Sequence, residues 1–111
     1  MNLKQKIQSD IDKFLNLCQT HSVKTLYAFG SSVTDRFDEE TSDIDLLVEI
    51  GETDPIERGE KLISLWDNME TFFDRKVDLL TEASIKNPVL RKNIDRTKIL
   101  IYDGSGQKVL V

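Results

Sequence analysis

The apolar residues Leu3, Ile7, Ile11, Phe14, Leu15 and Cys18 fall at steps of three and four. That is the spacing of one helix face, and it predicts an amphipathic helix from Leu3 to about Thr20. Val23 to Phe29 is rich in β-branched and aromatic residues and stops at Gly30, so it reads as a strand ending in a turn. Ser31 to Ser42 is polar, and its pattern predicts a short helical turn followed by a solvated loop around Asp38-Glu39-Glu40. Asp43 to Ile50 predicts a second strand, closed by Gly51. Asp54-Pro55 reads as an N-cap followed by proline at the first helical position. The helix it opens reaches about Phe73, with Ile56, Leu62, Ile63, Leu65, Trp66, Met69, Phe72 and Phe73 on its apolar side and Gly59 weakening it slightly. Lys76 to Thr81 is a third strand, Asn87-Pro88 starts a short helix to about Arg96, and Lys98 to Tyr102 is a fourth strand. Asp103 to Gly106 is a turn, and Gln107 to Val111 is either a short returning strand or a frayed tail.

Helices and strands alternate throughout, which places the chain in the α/β or α+β class, with a small sheet of about four strands flanked by helices. Its 111 residues suffice for one compact domain, 1–111. Hydrophobic residues (39%) are enough to bury a core. A net charge of -5 argues against a long basic groove for nucleic acid. The charge is uneven: residues 35–60 hold eleven acids against two bases, and residues 84–98 five bases against one acid. The single cysteine, Cys18, cannot form an internal disulfide, and with one histidine it cannot build a structural zinc cluster. No 18-residue apolar run exists and the first ten residues lack a signal-peptide pattern, so the expectation is a soluble cytoplasmic protein, away from membranes.

The chemistry gathers in three pieces. Phe29-Gly30-Ser31-Ser32 ends the first strand, Asp43-Ile44-Asp45 opens the second, and Val77-Asp78-Leu79 lies within the third. Residues i and i+2 of a strand share a face, which puts the Asp43 and Asp45 carboxylates about 6–7 Å apart. Asp78 sits between two apolar residues in the sheet, and a buried aspartate without a partner costs several kcal/mol. Three carboxylates together would repel by about 2–3 kcal/mol per pair at an effective dielectric near 20. Mg²⁺ would remove that penalty, since hard cations take carboxylate and phosphate oxygens together. Two such ions would activate an acceptor oxygen and stabilise a leaving pyrophosphate. Gly30-Ser31 suits the substrate side, a glycine for close backbone approach and then a serine at a helix start. A P-loop is excluded, because no Gly-Lys-Ser or Gly-Lys-Thr is present.

Gly30-Ser31, then Asp43-Ile44-Asp45, then Asp78, in this order, resembles the signature of the polymerase beta nucleotidyltransferase superfamily, and the short length resembles its minimal (MNT-type) members. The resemblance implies a nucleotidyltransferase fold in which Asp43 and Asp45 hold two Mg²⁺ ions. By the same resemblance Asp78 completes one metal site and helps deprotonate the acceptor, and Gly30, Ser31 and Ser32 bind the phosphates of the nucleotide. It further implies transfer of AMP from ATP to a hydroxyl. Larger relatives carry a second domain for the acceptor, which a chain this short must obtain from a partner or a homodimer. Minimal members commonly accompany a helical HEPN toxin and adenylylate its tyrosine, which suggests an antitoxin. This chain departs from many of them in having Ser32, Thr34 and Asp35 where they place an arginine, a second basic residue and a glycine. Arg36 or another chain is left to supply the missing charge. The competing reading is a binding protein of the same fold that neutralises its partner by steric cover, and a third is a metal-dependent phosphohydrolase.

Plainer roles exist for these residues. Asp43 and Asp45 can cap a turn, Ser31 can cap a short helix, and neither role explains Asp78. His21 reads as a dipole partner at a helix C-terminus, Cys18, Trp66, Phe72 and Phe73 as core, and Arg91, Lys92, Arg96 and Lys98 as a solvated helix face.

Overall fold

The computed structural model describes residues 2–33 and 43–110. Its elements are α1 (Leu3–Ser9), α2 (Ile11–Thr20), β1 (Val23–Phe29), a 3-10 turn (Gly30–Val33), β2 (Ile44–Ile50), α3 (Pro55–Phe73) and β3 (Val77–Leu80). A second 3-10 turn (Glu82–Ser84), α4 (Pro88–Thr97), β4 (Ile99–Asp103) and β5 (Lys108–Val109) follow. The expected loop through Asp38-Glu39-Glu40, and Arg36 with it, lies outside the described residues.

Two expectations change. The single N-terminal helix is two, because Asp10 (φ -150°, ψ 64°) leaves helical geometry; its N–H donates to Ile7 O, and its carboxylate accepts from the Lys13 N–H at 3.4 Å. Apolar spacing is blind to this break, since the four-residue step from Ile7 to Ile11 runs across it. The sheet has five strands rather than about four, since of the two alternatives for Gln107 to Val111 the returning strand is realised, with Lys108–Val109 antiparallel on β4.

The sheet order is β3-β2-β1-β4-β5, with β2 and β3 parallel and the other neighbours antiparallel. Its two faces bury different things. Leu26, Ala28, Ile44, Leu46, Val48, Val77, Leu79 and Ile101 pack on the face covered by α1, α2 and α3. There Phe14, Phe72 and Phe73 meet with centroids 5.1–6.3 Å apart, in tilted and edge arrangements. Cys18 belongs to this core as expected, and burial pushes its thiol up to about 12, so it stays protonated and unreactive. The opposite face holds a small cluster of Phe29, Leu47 and Ile94, with Tyr27, Leu80, Ile85 and Leu90 packed against it. Among the described residues, α4 is the helix that covers that face, and polar side chains stand on it beside the cluster.

α3 keeps its expected bounds, with Asp54 capping Glu57 N–H, but its buried side does not include every apolar residue expected on it. Leu65, Met69, Phe72 and Phe73 are buried, whereas Ile56 and Ile63 are more than 70% exposed. His21 caps α2 as expected, its Nδ1 2.8 Å from Leu17 O and its Nε2 2.9 Å from Ser64 Oγ. Asn87 caps α4 by accepting from the Val89 N–H at 2.8 Å. Asn87→Ala should lower stability by about 1 kcal/mol in urea denaturation, the usual cost of losing an N-cap. An unchanged midpoint would show that α4 does not depend on this cap.

Candidate active site

Every third of the predicted constellation lies at one end of the α4-covered face. Along β2, Ile44, Leu46 and Val48 point into the large core, so Asp43, Asp45 and Leu47 point the other way. On β3 the same alternation buries Val77 and Leu79 and turns Asp78 to the α4 side. Parallel pairing sets Asp45 directly beside Asp78, and the Ile44 N–H donates to Lys76 O at 3.0 Å one step earlier. Lys76 is thus level with Asp43, and its ammonium lies 3.8 Å from the Asp43 carboxylate. Three carboxylates and one ammonium occupy neighbouring positions at the start of two strands.

Their electrostatics are unequal. Asp45 is half-buried, and its carboxyl is pushed up to about 6, first by desolvation, then by the negative charges of Asp78 and Asp43, and last by a hydrogen bond with the Asp78 carboxyl. Asp43 is more open and leans on Lys76. Among the described residues no three His, Cys, Asp or Glu side chains converge closely enough to cage a metal ion as they stand. The donor set is nevertheless all carboxylate oxygen, and the repulsion that lifts Asp45 is of the kind a divalent cation relieves. The residues fit a hard cation, provided Asp43 turns from Lys76.

Gly30 packs directly against Asp45. Its φ is +66°, and a Cβ built on it would lie 2.8 Å from Asp45 Oδ2. A glycine is required twice over, for the left-handed backbone and for the carboxylate that packs on it. The turn that follows is a short 3-10 segment, Gly30–Val33, in keeping with the short helical turn expected from the sequence. Ser32 is buried, and its hydroxyl donates inward to Phe29 O at 2.6 Å, which ties the turn to β1. Ser31, between them, is half-buried. The Gly30 N–H donates to Thr97 Oγ1 at 2.9 Å.

Three supporting residues escaped sequence reasoning. Val77 lies in the edge strand β3, and its outward backbone groups are satisfied from α3: the Trp66 indole N–H donates to Val77 O at 2.6 Å, and the Glu70 carboxylate accepts from the Val77 N–H at 3.0 Å. These bonds hold Asp78, the next residue, in place. Trp66, expected as core, is 37% exposed and acts through this bond. Its i, i+4 spacing to Glu70 is visible in the sequence, but the edge strand it serves is not. Thr97 reads only as the end of a helix.

Residues 11–101 match the model of the nucleotidyltransferase domain. The chain belongs to this family. It is 39% identical over 85 residues to a protein of Methanocaldococcus jannaschii named "Putative protein adenylyltransferase", covering 77% of this chain and 83% of that one. A solved structure described as a putative minimal nucleotidyltransferase superposes with a TM-score of 0.60 at 27% identity, covering 89% of this chain and 95% of that one. A toxin-antitoxin crystal structure with AMP-PNP gives 0.57 at 25% identity, over 83% and 72% of the two chains. A Shewanella oneidensis structure of a tri-AMPylated HEPN toxin with its MNT antitoxin gives 0.50 at 25% identity, over 86% and 71%. The nucleotidyltransferase fold, the enzyme class and the minimal-type resemblance expected from the three motifs all hold. Among the described residues, no helix of this nucleotidyltransferase is long and apolar enough to cross a membrane.

Proposed function

We propose that this nucleotidyltransferase moves AMP from ATP onto a tyrosine hydroxyl of a helical, HEPN-type partner and neutralises that partner as an antitoxin. The observation that carries the reading is the Asp45–Asp78 pair, set side by side across two parallel strands with Gly30 packed on Asp45. The relatives named as adenylyltransferases and the fold neighbours solved with AMP-PNP or with an AMPylated toxin support the same direction.

Asp43, Asp45 and Asp78 would hold Mg²⁺, which supplies charge neutralisation of the phosphates and of the departing pyrophosphate. The chain's own residues do the rest. Asp78 accepts the proton of the incoming hydroxyl. Gly30 lets the phosphates approach the acid pair, and because its N–H is already engaged by Thr97, the phosphates meet the turn from Ser31 onward. The Ser32 hydroxyl holds the turn to Phe29 O, which fixes the turn that carries Ser31. The acceptor is positioned by the partner or by a second copy.

The test is to incubate the purified protein with Mg²⁺, labelled ATP and lysate of its source cells, and to follow AMP gain by mass spectrometry. A partner carrying one or more AMP units, absent with the Asp43→Asn, Asp45→Asn variant, is the expected result. A co-purifying partner that stays unmodified yet neutralised would replace this reading by steric cover, and release of AMP and pyrophosphate without a partner would replace it by hydrolysis.

A further inference from the structure

We infer that Thr97 is a positioning residue for the nucleotide loop, acting through the backbone of Gly30. The inference rests on the nucleotide-binding reading of Gly30-Ser31 and adds to it a residue from the far end of the chain.

Thr97 closes the last turn of α4, and both sides of its hydroxyl are accounted for. It donates to Asn93 O at 2.8 Å, within its own helix, and accepts from the Gly30 N–H at 2.9 Å. A hydroxyl whose proton is committed to a helix carbonyl presents a fixed lone pair to the glycine. The helix is itself anchored, because Ile94, one turn earlier, is fully buried with Phe29 and Leu47. Phe29 immediately precedes Gly30, and Leu47 is two residues past Asp45 on the same face. α4 therefore grips the loop and the acid-bearing strand through the same small cluster, and Thr97 adds a directional bond between that helix and the glycine.

The geometry gives this bond a consequence beyond stability. Gly30 sits in left-handed geometry with Asp45 Oδ2 where a Cβ would be. A glycine has many backbone alternatives, and each would move the Ser31 hydroxyl and N–H relative to the carboxylates. Holding the Gly30 N–H selects one of them, which is preorganisation of the site. It also keeps that N–H from competing for the phosphates.

The experiment compares wild type with Thr97→Val, which keeps the shape and loses the hydroxyl, Thr97→Ala, in case valine packs badly, and Thr97→Ser, which restores the hydroxyl. Two readouts are used besides transfer: hydrogen exchange of the Gly30 amide by NMR, and calorimetric affinity for AMP-PNP with Mg²⁺. Val and Ala should speed Gly30 exchange and weaken AMP-PNP by about five- to tenfold, the effect of losing one hydrogen bond. Ser should restore both, and in transfer assays the KM for ATP should rise while kcat changes little. Unchanged Gly30 exchange or unchanged AMP-PNP affinity in Val and Ala would overturn the inference, as would failure of Ser to restore them or a wild type that binds no nucleotide. Nucleotide binding that depends on Thr97 without any AMP transfer would keep this inference and remove the proposed activity. Transfer by all variants with equal KM would do the reverse.

Discussion

Asp45→Asn should reduce AMP transfer by about a hundredfold or more and, at the same time, make the folded protein more stable near neutral pH. The first effect follows from removing a charged oxygen ligand where the reaction places most negative charge. The second follows from the position of Asp45 between Asp78 and Asp43, where burial and two like charges push its carboxyl up to about 6 from an ordinary value of 3.8. For a carboxyl raised on folding, the neutral form is the one the fold prefers. Its contribution to stability is whole below about pH 4 and is lost as the pH climbs through about 6. Wild type thus carries an unfavourable charge at pH 7 that asparagine does not, on the order of 1–2 kcal/mol once partial solvent screening is allowed for. Urea denaturation at several pH values checks this. The variant should exceed wild type at pH 7, and the gap should close toward pH 4. A variant less stable than wild type at pH 7 would mean that Asp45 is held by favourable contacts rather than strained by its neighbours. Mg²⁺ adds a second readout, because it should stabilise wild type and have little effect on the variant.

Gly30→Ala should cost about 1–3 kcal/mol of stability and abolish most nucleotide binding. Alanine in left-handed geometry is itself unfavourable by about 1 kcal/mol, and here its methyl would also sit 2.8 Å from Asp45 Oδ2. Relief can come only by moving the turn or rotating the Asp45 carboxylate, and either one disturbs the site. The two costs can be separated by a cycle with Asp45→Ala. With the carboxylate gone the steric part disappears and the backbone part stays, so Gly30→Ala should cost visibly less in the Asp45→Ala background. Equal costs in both backgrounds would show that the close approach carries no energy and that the glycine serves backbone conformation alone.

Much of this was legible along the chain. The strands, α3, α4 and the three motifs follow from spacing, caps and turn residues, because those signals are local and the apolar side of each element must find the core. The departures are also physical. Asp10 breaks a helix that apolar spacing carries through, by offering its own side chain to the backbone. Ile56 and Ile63 share a helix with Phe72 and Phe73 yet stay exposed, since at about 100° per residue they fall on the face opposite Leu65, Met69 and Phe72. Lys108–Val109 becomes a strand only because β4 offers it an edge.

By itself, then, the sequence determined the elements, the acidic residues that share a face, and the Gly-Ser turn that resembles a nucleotide site, all properties of residues near one another in the chain. Only the tertiary structure decided that Asp45 and Asp78 stand level on parallel strands, that Trp66 and Glu70 secure the edge strand beside them, and that Thr97 holds Gly30. Each of those bonds joins separate elements, and the pairing register and helix docking that bring them together are set by burial of the whole core rather than by any local pattern.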